Sequence, residues 1–311
     1  MTKALLIDTS KCMACRGCQV ACKQWWELPA VATTNRGTYE NPPDLSAETW
    51  NKIRFKEIGS NGTVSWLFTR QACMHCTEAA CVKVCPTYAR GYHELGFVTL
   101  DQERCIGCGR CLMACPFGVP QFGGQDVSNR LAIELGGART VTYNCLFCAD
   151  RVEGGLAPSC AKTCPSGAIE FGDRADLITQ GKARVDYLKS TYPKAQLYGE
   201  NELGGLHQMF VLIEEPSVHD LPEQPKVGTL PEFDDKMLPD WYNQAIADNK
   251  LPSFPSGARP EWYQRQAQAG RLAPALWGLL GVVVVGGGAA LWWLMHRKAR
   301  LAEGKQKSGK S

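Results

Sequence analysis

The 311-residue chain has almost no excess charge: 34 Lys and Arg against 31 Asp and Glu leave a formal net charge of +3. A nucleic-acid partner would require a basic stripe, so that class is excluded. A secretory leader is also missing. After Met1-Thr2-Lys3 the apolar run Ala4-Leu5-Leu6-Ile7 stops at Asp8, whereas a leader core needs roughly 7–15 apolar residues. No twin-arginine pair stands near the start, and on this criterion alone a cytoplasmic protein is expected. Histidine is scarce, with only five (His75, His93, His207, His219 and His296), and no catalytic constellation accompanies them. Disorder is excluded by 44% hydrophobic and 21% charged residues. A chain of this length can bury a core or two, so a small disulfide-stapled fold is excluded as well.

What the chain does have is 16 cysteines, all between Cys12 and Cys164. They fall into four groups of four with none left over. Group one is Cys12, Cys15, Cys18 and Cys22. Group two is Cys73, Cys76, Cys81 and Cys85. Group three is Cys105, Cys108, Cys111 and Cys115. Group four is Cys145, Cys148, Cys160 and Cys164. Group three, CIGCGRCLMACP, is the full bacterial ferredoxin run C-x2-C-x2-C-x3-C-P. Group one keeps the spacing but continues with Lys23. Group two widens one gap, and group four inserts 11 residues before Cys160. Both keep the closing C-x3-C-P. Three close cysteines let one tight loop wrap three corners of an iron–sulfur cubane. The fourth is expected to start a helix that points toward a second cluster. Short extended segments at Ala4–Asp8, Phe97–Leu100, Val141–Tyr143 and Ala168–Phe171 complete a strand-loop-helix rhythm.

Zinc also takes C-x2-C units, but it pairs two of them and needs neither a third nearby cysteine nor the C-x3-C-P ending. Cysteines three apart on one loop rarely reach disulfide geometry. The expectation is therefore four 4Fe–4S clusters, with a zinc-stabilised membrane scaffold as the rival of another class. Motifs of a two-cluster ferredoxin exchange their fourth cysteines. With four motifs, the arrangement expected nests one pair inside the other. The inner clusters would use Cys73, Cys76, Cys81 with Cys115, and Cys105, Cys108, Cys111 with Cys85. The outer clusters would use Cys12, Cys15, Cys18 with Cys164, and Cys145, Cys148, Cys160 with Cys22. Each oxidised cubane with its thiolates carries about −2, so loading would take the net charge from +3 to about −5. Arg16, Lys23, Arg104, Arg110 and Lys162 lie near the runs and are candidates to offset that charge or to stay solvated. His75, between Cys73 and Cys76, is expected beside a cluster or at the surface. Trp25 and Trp26, after group one, are expected in ordinary packing, with packing over a cluster or against a catalytic subunit as the alternatives.

Beyond the cysteines lies a proline-dense stretch, 216–273, that reads as a linker or a segment wrapping a partner. Residues 275–295, ALWGLLGVVVVGGGAALWWLM, then run 21 residues without a charge. As a helix they would span about 30 Å, the hydrocarbon thickness of a bilayer. Trp277, Trp292 and Trp293 sit near its ends, where interfacial aromatics belong. Arg297, Lys298, Arg300, Lys305, Lys307 and Lys310 follow it, against Arg259, Arg265 and Arg271 before it. That bias puts the tail in the cytoplasm and the body on the far side. His296 could approach a partner's haem or anchor the interface.

At these residues the chain resembles the four-cluster iron–sulfur subunits of membrane-bound molybdopterin oxidoreductases, and formate dehydrogenase beta subunits in particular. LLIDTSKCMACRGCQVACKQWWELPA (5–30), NPPD (41–44), CMHC (73–76) and the cysteine-free YGENELGGLHQMFVL (198–212) carry the likeness. The resemblance implies a complex. An exported molybdenum or tungsten bis-pterin subunit would oxidise formate, this chain would carry the electrons, and a cytochrome b subunit would take them to quinone. A hydrogenase or another molybdopterin reductase would suit the same wire. Export with the partner would reconcile the missing leader with a body facing the periplasm.

The fold expected is α+β, loop-rich, with two nested ferredoxin-like dicluster domains. Residues 1–22 and 140–215 form the outer one and 23–139 the inner one with insertions. The linker at 216–273, one transmembrane helix at 274–296 in the inner membrane and a basic cytoplasmic tail at 297–311 follow.

Overall fold

The computed structural model describes residues 1–60, 62–123 and 141–225. Most of the proline-dense stretch, the segment 274–296, the basic tail and His296 lie outside these residues. Among the described residues, no helix is long and apolar enough to cross a membrane. Contacts divide the chain into Met1–Pro260 and Glu261–Ser311, and the second unit is also outside them.

Helix and strand are mixed. One four-stranded sheet joins the two ends of the cysteine region, in the order β8-β1-β10-β9. Its strands are β1 (Lys3–Asp8), β8 (Ile169–Asp173), β9 (Gln196–Tyr198) and β10 (Gln208–Leu212). β1 runs parallel to β10 and antiparallel to β8, with Leu6 opposite both Met209 and Glu170. Alternation sorts the faces. Ala4, Leu6, Met209 and Val211 pack with Leu177, Val185 and Leu188 of the helix Arg174–Leu188. Between those positions, Ile7 and Gln208 face the cysteine loops, where Ile7 lines a pocket with Cys12 and Gln208 meets Arg70. The sheet is thus a floor, with a helix under it and the cysteines above.

Among the described residues, three antiparallel strand pairs accompany this sheet. β2 (Asn51–Ser60) and β3 (Thr63–Ala72) form a long ribbon, paired from Asn51 opposite Ala72 to Ser60 opposite Thr63. β4 (Arg90–Tyr92) pairs with β5 (Val98–Leu100), and β6 (Gln121–Gly123) with β7 (Val141–Tyr143). The extended segments expected at 4–8, 97–100, 141–143 and 168–171 correspond to β1, β5, β7 and β8. The long ribbon was not anticipated. The proline stretch begins with a 3-10 turn at Pro216–His219, and Tyr198 Oη donates to Pro222 O at 2.8 Å.

Helix placement corrects one expectation. The fourth cysteine does not start a helix. In each run the third cysteine lies in a helix: Cys18 in Gly17–Trp25, Cys81 in Ala80–Lys83, Cys111 in Arg110–Ala114 and Cys160 in Ser159–Lys162. Cys22 lies farther along its helix, while Cys85, Cys115 and Cys164 stand just past the ends of theirs. The reason is helical rise. Four residues advance the axis by about 6 Å, so the third and fourth thiols are offset by one turn and serve different sites.

Candidate metal centres

The sixteen cysteines converge into four sets, each taking three thiols from one run and one from another. Cys12, Cys15, Cys18 and Cys164 line one pocket together with Ile7, Arg16 and Arg70. Cys73, Cys76, Cys81 and Cys115 line a second with Arg90. Cys85, Cys105, Cys108 and Cys111 line a third with Arg90, Arg110 and Thr142. The fourth set is Cys22 with Cys145, Cys148 and Cys160. All four are buried, and Cys22's thiol is pushed up by burial and then by those three neighbours.

The loops share one backbone device. The residue before the second cysteine of every run has positive φ: Ala14 at 54°, His75 at 49°, Gly107 at 68° and Phe147 at 59°. Such a reversal turns successive N–H groups into a concave nest, a known cradle for anions and iron–sulfur sites. In three runs this residue's N–H bonds to the thiol two positions earlier: Ala14 to Cys12, His75 to Cys73, and Phe147 to Cys145 at 3.4 Å. Backbone N–H groups so placed can donate to sulfur. A left-handed conformation costs a non-glycine residue about 1–2 kcal/mol, so three loops hold their shape against local preference. Gly109, at φ +75°, also needs its missing side chain: a Cβ there would stand 2.8 Å from Phe122 Cζ.

The electrostatics set a condition that any bound metal must meet. Burial drives Cys18 and Cys148 up to about 12, and Cys81 and Cys108 up to about 11. Bare thiolates are disfavoured there, and a cation must displace the protons. Among the described residues no three of His, Cys, Asp and Glu are placed to hold a single ion. Zinc would need its thiolates at about 2.3 Å from one centre. Thiols spread around a pocket suit a multi-iron cluster, which takes one cysteine per iron.

The sets stand in a row. Cys18 of the first set lies close enough to Cys160 of the fourth for the two to interact electrostatically. Cys22 and Cys145 pack in one apolar cluster with Trp50 and Ala72, and Cys73 of the second set packs against it. Trp26 lies against Trp50 there, with ring centroids 5.4 Å apart. Arg90 then joins the second set to the third. The order is Cys12 set, Cys22 set, Cys73 set, Cys105 set.

Of the basic residues near the runs, Lys23 donates to Pro29 O at 2.9 Å and Glu48 O at 2.6 Å. Arg16 lies over Phe55 at 4.8 Å, Arg104 pairs with Asp101 at 3.2 Å, and Lys162 is exposed. Arg16 and Arg110 each line a thiol pocket. Spacing missed two deeply buried arginines beside the thiol sets, Arg70 and Arg90, each 2% exposed. Arg70 Nη2 lies 3.8 Å from Cys160 Sγ, and Nη1 donates to Gln208. Both arrive on strands, outside the cysteine runs. His75 is fully buried and held edge-on to Phe147 at 4.9 Å, so its surface alternative is excluded. Trp25 is packed as expected, donating to Asp150 at 3.0 Å under the Arg151 guanidinium.

Two family models of 4Fe–4S dicluster domains match the chain, at residues 11–89 and 64–174. The chain is 40% identical to the formate dehydrogenase-O iron-sulfur subunit of Escherichia coli K12, over 74% of each chain. It is 39% identical to the formate dehydrogenase iron-sulfur subunit of Haemophilus influenzae, over 72% of this chain and 70% of that one. It is 35% identical to formate dehydrogenase 2 subunit beta (cytochrome c-553) of Nitratidesulfovibrio vulgaris, over 63% of this chain and 88% of that one.

Proposed function

The chain belongs to the formate dehydrogenase iron–sulfur subunits, and we propose that its sixteen cysteines hold four 4Fe–4S clusters in a single row. The chain has an electron-transfer role, for which both dicluster domains and its relatives speak. The observation that carries the reading is the three-plus-one composition of every thiol set.

The ligands would be Cys12, Cys15, Cys18 and Cys164; Cys145, Cys148, Cys160 and Cys22; Cys73, Cys76, Cys81 and Cys115; and Cys105, Cys108, Cys111 and Cys85. A bound cubane supplies one-electron chemistry with little rearrangement. The chain's own residues do the rest. The nests at Ala14, His75 and Phe147 aim N–H groups at sulfur. Trp26, Trp50, Tyr143 and Leu146 keep water from the junction between the Cys22 and Cys73 sets. Cys15 is exposed at one end of the row, whereas every thiol of the Cys22 set is buried. Surface access at the end of a row is what exchange with a partner requires.

The nested dicluster arrangement accounts for the sheet that joins both ends of the cysteine region. The partners proposed are a molybdopterin catalytic subunit and a cytochrome b in the membrane. The relatives support a catalytic subunit and a membrane or cytochrome partner. The apolar segment 275–295 and its flanking charges favour a single-pass anchor in the inner membrane, with the body facing the periplasm.

Iron and acid-labile sulfide analysis tests the reading. About sixteen irons per chain are expected of four cubanes. Stoichiometric zinc in a colourless protein would overturn it.

A further inference from the structure

Two arginines occupy equivalent places in the row. Arg70, from β3, lines the pocket of Cys12, Cys15, Cys18 and Cys164, and its Nη2 reaches Cys160 of the neighbouring set at 3.8 Å. Arg90, from β4, lines both the Cys73 and the Cys105 pockets. Each pair of sets therefore has one guanidinium between its members. Both side chains are 2% exposed. Among the described residues neither meets a carboxylate. Arg90 donates to Asn144 Oδ1 at 2.8 Å and to Thr142 Oγ1 at 3.0 Å, and Arg70 donates to Gln208, all neutral acceptors. The Nε of Arg70 has no hydrogen-bond partner.

A buried cation without a counter-charge is costly, and arginine cannot shed its proton to escape the cost. Among the described residues, the groups beside each guanidinium that can take up negative charge are the sulfurs of the thiol sets. Neutral anchors also leave the guanidinium's full charge directed at them, where a carboxylate would cancel it.

We infer that Arg70 and Arg90 are the charge partners of the two cluster pairs, Arg70 for the outer pair and Arg90 for the inner. By favouring the extra negative charge of the reduced state, each raises the reduction potentials of the two clusters beside it. The inference rests on the cluster reading above and goes beyond it by assigning potential-setting to two residues outside the cysteine runs. They are positioning residues for charge, not ligands.

The experiment uses the full chain in its native complex, with Arg70→Gln, Arg90→Gln, Arg70→Lys and Arg90→Lys. Iron content is measured first, and then redox titration followed by electron paramagnetic resonance gives the midpoint potentials. Arg90→Gln should lower two of the four potentials, and Arg70→Gln the other two. The lysine variants, which keep the charge, should shift them less. If a glutamine variant loses iron and its lysine counterpart keeps it, the charge is required to hold the clusters and the assignment stands. Unchanged potentials in both glutamine variants, the same two clusters moving in both, or lysine shifts as large as glutamine shifts would overturn it. So would equal iron loss in the glutamine and lysine variants, which would mean that shape is the requirement. Iron well short of about sixteen in the unsubstituted protein would instead sink the cluster reading itself.

Discussion

Arg90 and Asn144 are joined by a hydrogen bond of 2.8 Å, the guanidinium donating to the side-chain carbonyl. Asn144 in turn donates to Cys145 O at 2.7 Å, so one buried side chain ties β4 to the loop that opens the fourth cysteine run. A hydrogen bond to a charged group contributes about 1.5–3 kcal/mol, and its removal strands a buried donor. Asn144→Ala should therefore destabilise the protein by about that amount while leaving all sixteen thiols in place. Thermal unfolding checks it, with iron content as the control. An unchanged melting temperature would show that Thr142 alone suffices to anchor Arg90.

Ligand exchange between runs predicts which cysteines behave alike. Cys85→Ser and Cys108→Ser should alter the same paramagnetic signal, because both thiols line one pocket. Cys115→Ser should alter a different one, shared with Cys76. Each substitution should remove up to about four irons. Cys108→Ser should also block formate-dependent transfer to quinone if the row is serial. A Cys85→Ser protein that shares its defect with Cys81→Ser would break the pairing.

Under the sheet, Leu177 is 2% exposed and packs against Ala4, Leu6 and Met209. Leu177→Ala leaves a cavity on the side away from the cysteines and should cost about 2–5 kcal/mol. The apparent melting temperature should fall with the iron content unchanged. Loss of clusters at ordinary temperature would mean that the floor and the cysteine loops are not separable in this way.

How legible was this molecule? The four cysteine runs were legible because metal ligation needs particular atoms at particular spacings. The short strands at Ala4–Asp8 and Val141–Tyr143 were legible because each flanks a cysteine run. The β2–β3 ribbon carried its own signal: Val64, Trp66 and Phe68 alternate after an Asn61-Gly62 pair, a hairpin dipeptide. Arg70 and Arg90 were illegible. Their roles depend on where strands cross cysteine loops distant in sequence, and Arg70, three residues before Cys73, serves the outer sets instead. Helix placement failed because the spacing of the last two cysteines records an offset of one turn without saying where the turn begins.

Deleting residues from 274 onward removes the 21-residue uncharged segment. The truncated chain alone should partition into the soluble fraction, because nothing else in the sequence approaches the roughly 20 apolar residues a span requires. Fractionation after alkaline extraction checks this. A truncated complex that stays with the membrane would show that the partners suffice to hold it there.

Acid should weaken the fold through His219. The ring is 2% exposed, with Nδ1 2.7 Å from Thr69 Oγ1. Burial, helped by the Lys56 cation and opposed by Asp220, lowers its pKa from 6.5 to about 4. Arg54 and Arg70 line the same pocket and add further positive charge. Between these two values the unfolded chain binds a proton that the folded chain refuses, so stability rises with pH across that window. As pH falls from 6.5 toward 4 the loss should reach on the order of 3 kcal/mol. His207 is lowered by burial too and adds to the loss in the same direction. His219→Gln removes the titration but keeps a polar partner for Thr69. Its apparent melting temperature should therefore fall less than that of the unsubstituted protein between pH 6.5 and pH 4. Equal slopes for the two proteins would mean that acid acts elsewhere, on the thiol sets first.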